Sequence, residues 1–170
     1  RAAKRLPAQP RSIIVTLFPY RFPEQVTRGK PRNLSRYACV PDYHIAVGNV
    51  LKAVAEHLAQ AFPQHAFVPF VDNSPIPEVA AAALAGLGVV GDHGLLIHPR
   101  FGSFVFIGTM VTDLALPPTG NPDGELPRCD HCGRCGQACP GSCLPSHLPT
   151  DGTQPQNSKP ERCLSAISQK

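Results

Sequence analysis

The chain has 170 residues, enough for one domain with a sizeable core. Apolar residues make up 42% and charged residues 16%, which excludes disorder throughout. No uncharged apolar run, Phe104–Met110 and Val79–Gly91 included, is long enough to cross a bilayer, so an integral membrane protein is not expected. Net charge is +4, but it is unevenly placed. Residues 1–36 carry nine Lys and Arg against one acid, Glu24, a basic arm of the kind that holds phosphates. Pro occurs 20 times, which argues against a helical bundle and for many fixed turns. Arg1 through Leu6-Pro7 lead into no apolar signal segment, which points to the cytoplasm. The first residue is Arg, and the chain stops just after Cys163, so a fragment open at both ends is expected.

Residues 11–20 contain Ile13, Ile14, Val15 and Leu17 and predict a buried strand. Residues 21–41 hold Pro23, Gly29, Pro31 and Pro41 and predict loop. Asp42 can cap a helix running to Phe62, with Val47, Val50, Leu51, Val54, Leu58 and Phe62 on its apolar face. Ala66–Val71 predict a strand, and Pro69 within it suggests an edge or a bulge. Pro77-Glu78 open an Ala-rich helix to about Leu87. Gly86, Gly88, Gly91 and Gly94 break the chain after it. Leu95–His98 and Ser103–Val111 predict two further strands. Strands alternating with helices give an α+β, or α/β-like, fold class. Residues 116–128 read as a linker, and residues 144–160, rich in Pro, Ser, Thr and Gln, as a flexible excursion. Two units result: 1–128, a sheet-and-helix domain, and 129–170, a cysteine-rich module.

The chemistry is concentrated in that module. Six of seven cysteines lie after residue 128, where a secreted disulfide framework would spread them. Cys129, Cys132, Cys135, Cys139 and Pro140 form Cys-x2-Cys-x2-Cys-x3-Cys-Pro, the bacterial ferredoxin run for a [4Fe–4S] cluster. Three thiolates at intervals of three wrap a short loop around one cluster. The fourth serves a second cluster where two are present. A structural zinc site is usually built from two separated pairs. Cys143 fits no slot and reads as a free thiol or packing residue. Cys39 reads as a buried small apolar residue, and His131 as exposed and not a ligand. Asp72, read from its surroundings alone, caps the turn Asp72–Pro75.

Several stretches together resemble the epoxyqueuosine reductases, a cobalamin-dependent iron–sulfur family related to reductive dehalogenases. They are residues 35–44, 70–75, 85–91, 101–108, the cysteine run and 162–165, in the family's order. The resemblance implies a cobalamin-binding domain followed by a two-cluster ferredoxin-like module, so that this chain holds part of each. It implies reduction of epoxyqueuosine to queuosine at the tRNA wobble position. Electrons would come from a flavodoxin- or ferredoxin-like donor and pass through two [4Fe–4S] clusters to cobalamin. It makes Asp72 the proton donor, a role that fits a carboxyl raised by burial beside a macrocycle. It assigns Cys129, Cys132 and Cys135 to the first cluster and Cys139 and Cys163 to the second. Ser35, Asp72 and Ser165 fall at cobalamin-facing positions, and His44 reads equally as lining the same face or as a satisfied helix-start histidine. The chain departs from the family at Val89 and Asp92, where an aromatic residue and a Lys are usual. An Asp there would weaken a phosphate contact by charge reversal. Two other readings share parts of this pattern: an electron-transfer protein without cobalamin, and a corrinoid reductase of small molecules. About 110 residues of α/β fold ahead of the cysteines disfavour the first, and the basic arm disfavours the second.

Overall fold

The computed structural model describes residues 6–20, 37, 41–72, 74–120, 124–144 and 160–163. Ser35, Cys39 and Ser165 lie outside the described residues, as does most of the basic arm. The elements are β1 (Ser12–Pro19), α1 (Tyr43–Ala61), β2 (Phe67–Val71), α2 (Glu78–Leu84), β3 (Val89–Val90), β4 (Leu96–Ile97), β5 (Val105–Thr112) and α3 (Arg134–Ala138). A 3-10 turn spans Pro160–Arg162.

The main sheet has the order β1-β5-β2, and both of its pairings are antiparallel. This mixed architecture is α+β, because antiparallel strands need no helical crossover between neighbours. β5 is central and carries the most buried stretch, Gly108 to Thr112. β2 pairs with β5 alone, so Pro69 sits on an edge strand, where its missing N–H costs least. β1 is the other edge and is half-buried, not the buried strand expected from its apolar run. Its apolar residues are shared between two faces. Ile14 and Phe18 pack toward α1, and Val15 and Leu17 toward α2.

The sheet therefore lies between two layers. On one side α1 packs Val47, Leu51 and Ala55 against Met110, Phe106 and Phe67. Val50, Val54 and Phe62, expected on the same face, are exposed. The buried stripe runs at intervals of four, and a 3.6-residue period turns the intervening positions outward. Gly108 lets α1 approach. A Cβ there would stand 2.8 Å from Leu51 Cδ1 and 3.1 Å from Thr16 Oγ1. On the other side α2 buries Ala82 and Ala83 beside Val90 and Leu96. The small hairpin β3–β4 completes this layer, and β3 went unpredicted because two residues give no periodicity to read.

Local chemistry sets the ends of both helices. Asp42 Oδ1 accepts the His44 N–H at 2.9 Å and caps α1, as predicted. α2 ends in a Schellman turn: Leu87 N–H donates to Ala82 O and Gly86 N–H to Ala83 O, with Gly86 at φ 80°. This stops the helix three residues before the predicted end. Residues 124–128 are no free linker. Leu126 packs into the second core, Val90 N–H donates to Pro127 O, and Cys129 N–H donates to Val90 O. The cysteine segment is thus hydrogen-bonded to β3.

Asp113 joins two strand ends. Its Oδ1 accepts the Ala66 N–H at 3.0 Å and lies 3.1 Å from His65 Nδ1. The Ala66 hydrogen bond, then that of His65, holds the Asp113 carboxyl below its ordinary 3.8. A folded value below the unfolded one gives stability that is complete above the unfolded value and lost as pH falls through the folded one. Asp113→Asn is therefore expected to flatten the fall in thermal midpoint as pH drops through and below 3.8. Equal slopes for the two proteins would show that the bond adds no acid-linked stability.

Candidate functional site

The site at the N-terminus of α1 is built by three elements. Tyr43 opens α1, Asp72 comes directly after β2, and Phe106 lies on β5. Tyr43 stacks on Phe106 at 4.1 Å with an interplanar angle of 2°. It also stacks on His44 at 4.1 Å. Tyr20 stacks on the same Phe106 at 4.3 Å. Phe106 thereby fixes the Tyr43 ring, and the phenol donates to Asp72 Oδ2. His44 Nε2 lies 3.1 Å from the same oxygen, and His44 Nδ1 lies 2.8 Å from Asp42 Oδ1. One imidazole bridges two carboxyl groups.

Asp72 itself has φ 48°, the left-handed region that Asp and Asn tolerate better than other side chains. Its side chain is 48% exposed, so the burial expected from the preceding apolar strand is absent. Asp72 sits past the strand's last residue, where the chain has left the sheet. Burial, and next the hydrogen bond to Asp72, pushes the Tyr43 phenol strongly upward, so it stays protonated and keeps donating. The hydrogen bonds from His44, side chain first, hold Asp42 below its usual range.

A carboxyl not anticipated from sequence belongs to this group. Glu78, at the start of α2, is raised by burial and next by the charge of Asp72. Its Oε1 is buried without a hydrogen-bond partner among the described residues. Sequence showed Glu78 as a helix opener, and nothing in its spacing placed it near Asp72. A groove of about 890 Å³ lies on the α2 side, lined by Ile13, Val15, Ala81 and Leu84, and includes none of these site residues.

The second site is the cysteine loop. Gly133, at φ 74°, turns the chain into α3, which carries Cys135, with Cys139 at its end. None of Cys129, Cys132, Cys135, Cys139 and Cys163 is in a disulfide. Three cysteines outside any disulfide on one loop, held to the core through Cys129, suit an iron–sulfur cluster by the chemistry of the donors. Cys143 is not isolated. Its Sγ lies 3.2 Å from Cys139 Sγ, and Cys163 also interacts with it. Gly141 permits this, because a Cβ there would meet Arg162 O at 2.1 Å. Two reassignments concern the same loop. His131 is half-buried, with Nδ1 2.8 Å from Asp92 Oδ1. Asp92 has a side chain only 9% exposed, so it offers no charge to a phosphate-facing surface. Folding turned it toward the cysteine loop, which lies 37 positions away in sequence.

Comparison with known proteins bears on the chain's family and fold. A family model described as Epoxyqueuosine reductase QueG, DUF1730 matches residues 1–73. The epoxyqueuosine reductase of Leadbetterella byssophila is 32% identical over 158 residues, 93% of this chain and 48% of that protein. The chain is a homologue of the epoxyqueuosine reductases. It spans just under half the length of that relative. The solved epoxyqueuosine reductase from Streptococcus thermophilus superposes with a TM-score of 0.69 at 26% identity, over 93% of this chain and 40% of that one. A second epoxyqueuosine reductase structure, with an epoxyqueuosine-modified tRNA-Tyr stem loop, shares the fold at a TM-score of 0.63 and 23% identity, over 93% of this chain and 40% of that one. Among the described residues no helix is long and apolar enough to cross a membrane.

Proposed function

We propose that the protein to which this chain belongs reduces epoxyqueuosine to queuosine in tRNA, in the cytoplasm, with Asp72 as proton donor. The observation that carries this reading is the convergence of Tyr43 and His44 on Asp72 Oδ2, in a chain homologous to that family. Opening an epoxide develops charge on oxygen, and a positioned acid lowers that barrier. Asp72 would pass a proton to that oxygen from its carboxyl and take one back at Oδ2. His44, bonded to Asp42 on its other nitrogen, can return one to Asp72 after each turnover. Two carboxylates only accept, so both contacts are hydrogen bonds at once when the imidazole carries both protons. Tyr43 keeps the carboxyl oriented through a phenol that does not ionise.

Cobalamin, when bound, supplies the metal-centred reduction, fed by a flavodoxin- or ferredoxin-like donor through two [4Fe–4S] clusters. Cys129, Cys132 and Cys135 would hold the first cluster, and Cys139 and Cys163 belong to the second. On this reading residues 1–128 are part of the cobalamin domain, and 129–170 begin the ferredoxin-like module. The exposed His44 and Asp72, with the half-buried Tyr43 at their edge, present a polar face that fits a large polar macrocycle. Ser35 and Ser165 would join Asp72 at that face. The basic arm, with Arg28, Lys30 and Arg32, supplies charge for tRNA phosphates.

The test is anaerobic reconstitution of the full-length protein with iron, sulfide and cobalamin, then absorption and paramagnetic resonance spectra. About eight irons and one cobalamin are expected, with conversion of epoxyqueuosine-tRNA. Eight irons without cobalamin would reduce the protein to an electron carrier, with Asp72 as a turn residue.

A further inference from the structure

Asp92, Cys129 and His131 each present a donor atom, and the three atoms lie within 4.8 Å of one another. All three residues are half-buried. His131 contributes the imidazole from inside the cysteine loop. Backbone geometry holds the group together: Cys129 N–H donates to Val90 O, two residues before Asp92, and His131 has φ 53°. One carboxylate, one thiolate and one imidazole are the donor types of a mononuclear zinc-like site, and water takes the fourth position of such a tetrahedron. Bonds of about 2.0–2.3 Å to a shared tetrahedral ion put its donors roughly 3.3–3.7 Å apart. The 2.8 Å contact between His131 Nδ1 and Asp92 Oδ1 needs only a small opening to admit an ion.

We propose that Asp92, Cys129 and His131 form a mononuclear site for a divalent transition ion, occupied when the first cluster is absent. The site shares Cys129 with the cluster assigned above, so one thiolate serves either the ion or the cluster. An ion bound there holds back cluster assembly until it is displaced. Val89-Val90 and the cysteine loop stay joined in both states, because their link is through backbone.

The experiment uses the full chain, reduced, cluster-free and anaerobic, titrated with Co²⁺. One equivalent is expected to give the intense visible bands of tetrahedral cobalt and one thiolate charge-transfer band. Asp92→Asn and His131→Ala are each expected to weaken binding about tenfold or more, and Cys129→Ser to remove the charge-transfer band. Cys132→Ser and Cys135→Ser should leave the spectrum in place. Circular dichroism of Asp92→Asn and His131→Ala checks that the variants fold, and Asp92→Asn, close in shape to the native residue, serves if His131→Ala does not. The proposal is overturned if Cys132→Ser or Cys135→Ser abolishes binding while Asp92→Asn has no effect, since the ion would then sit on thiolates alone. Absence of any cobalt binding overturns it as well. Iron and sulfide loading is read separately: Asp92→Asn should accept the cluster as well as the unaltered chain, and faster when both start with zinc bound. Failure of the unaltered, zinc-free chain to take up a cluster bears on the cluster assignment and leaves the cobalt result standing.

Discussion

Asp72→Asn in the full-length, cofactor-loaded protein is expected to lower turnover by about 10²–10⁴-fold, the usual contribution of a positioned acid. Asn is a suitable test because it keeps the shape and tolerates φ 48°, so the turn after β2 survives. It still accepts the Tyr43 phenol proton at its amide oxygen. Its amide cannot release a proton at neutral pH. Iron content, cobalamin content and thermal midpoint should be unchanged. Turnover within twofold of the unaltered protein would remove Asp72 from the chemistry. Where Asp72→Asn does lower turnover, His44→Gln is the informative partner. It keeps one hydrogen bond to Asp72 but cannot carry a proton through, and should lower turnover while the single-turnover step survives.

Leu51→Ala is expected to cost about 2–5 kcal/mol, the range for emptying a buried aliphatic site. Leu51 is 2% exposed and sits where α1 crosses β5, over Gly108. No neighbour can move in easily. Met110, Val47 and Ala55 are already packed around the same point, and Gly108 offers no side chain to fill the gap. For a chain of this size the midpoint should fall on the order of 10 °C. Since the total stability of a domain is about 5–15 kcal/mol, the variant stands near the edge of folding at 37 °C. Val50→Ala, one position away but exposed, is expected to shift the midpoint by only about 1–2 °C. A comparable fall for both would mean that the outer face of α1 is covered in solution.

Much of this was legible in the residues. The cysteine spacing, the Asp42 cap, the edge position of Pro69 and the central elements all come from short-range rules. Each depends on neighbours within a few positions: a cap bonds two residues on, a thiolate run wraps one loop, and a proline lacks its own N–H. The homology of the chain was likewise carried by short segments in a fixed order.

The tertiary structure decided everything that depends on pairing between distant segments. It placed Glu78 near Asp72 and set Tyr43 between Phe106 and His44. It left Asp72 exposed, although an apolar strand precedes it. It turned Asp92 inward to meet His131, 39 positions away. It narrowed the apolar face of α1 to the stripe through Val47, Leu51 and Ala55. The reason is the same in each case. Sequence period and composition report which side chains prefer burial or a turn. Which surface they meet is set by the order of strands in the sheet and the side on which each helix docks, and those are properties of contacts some tens of residues apart.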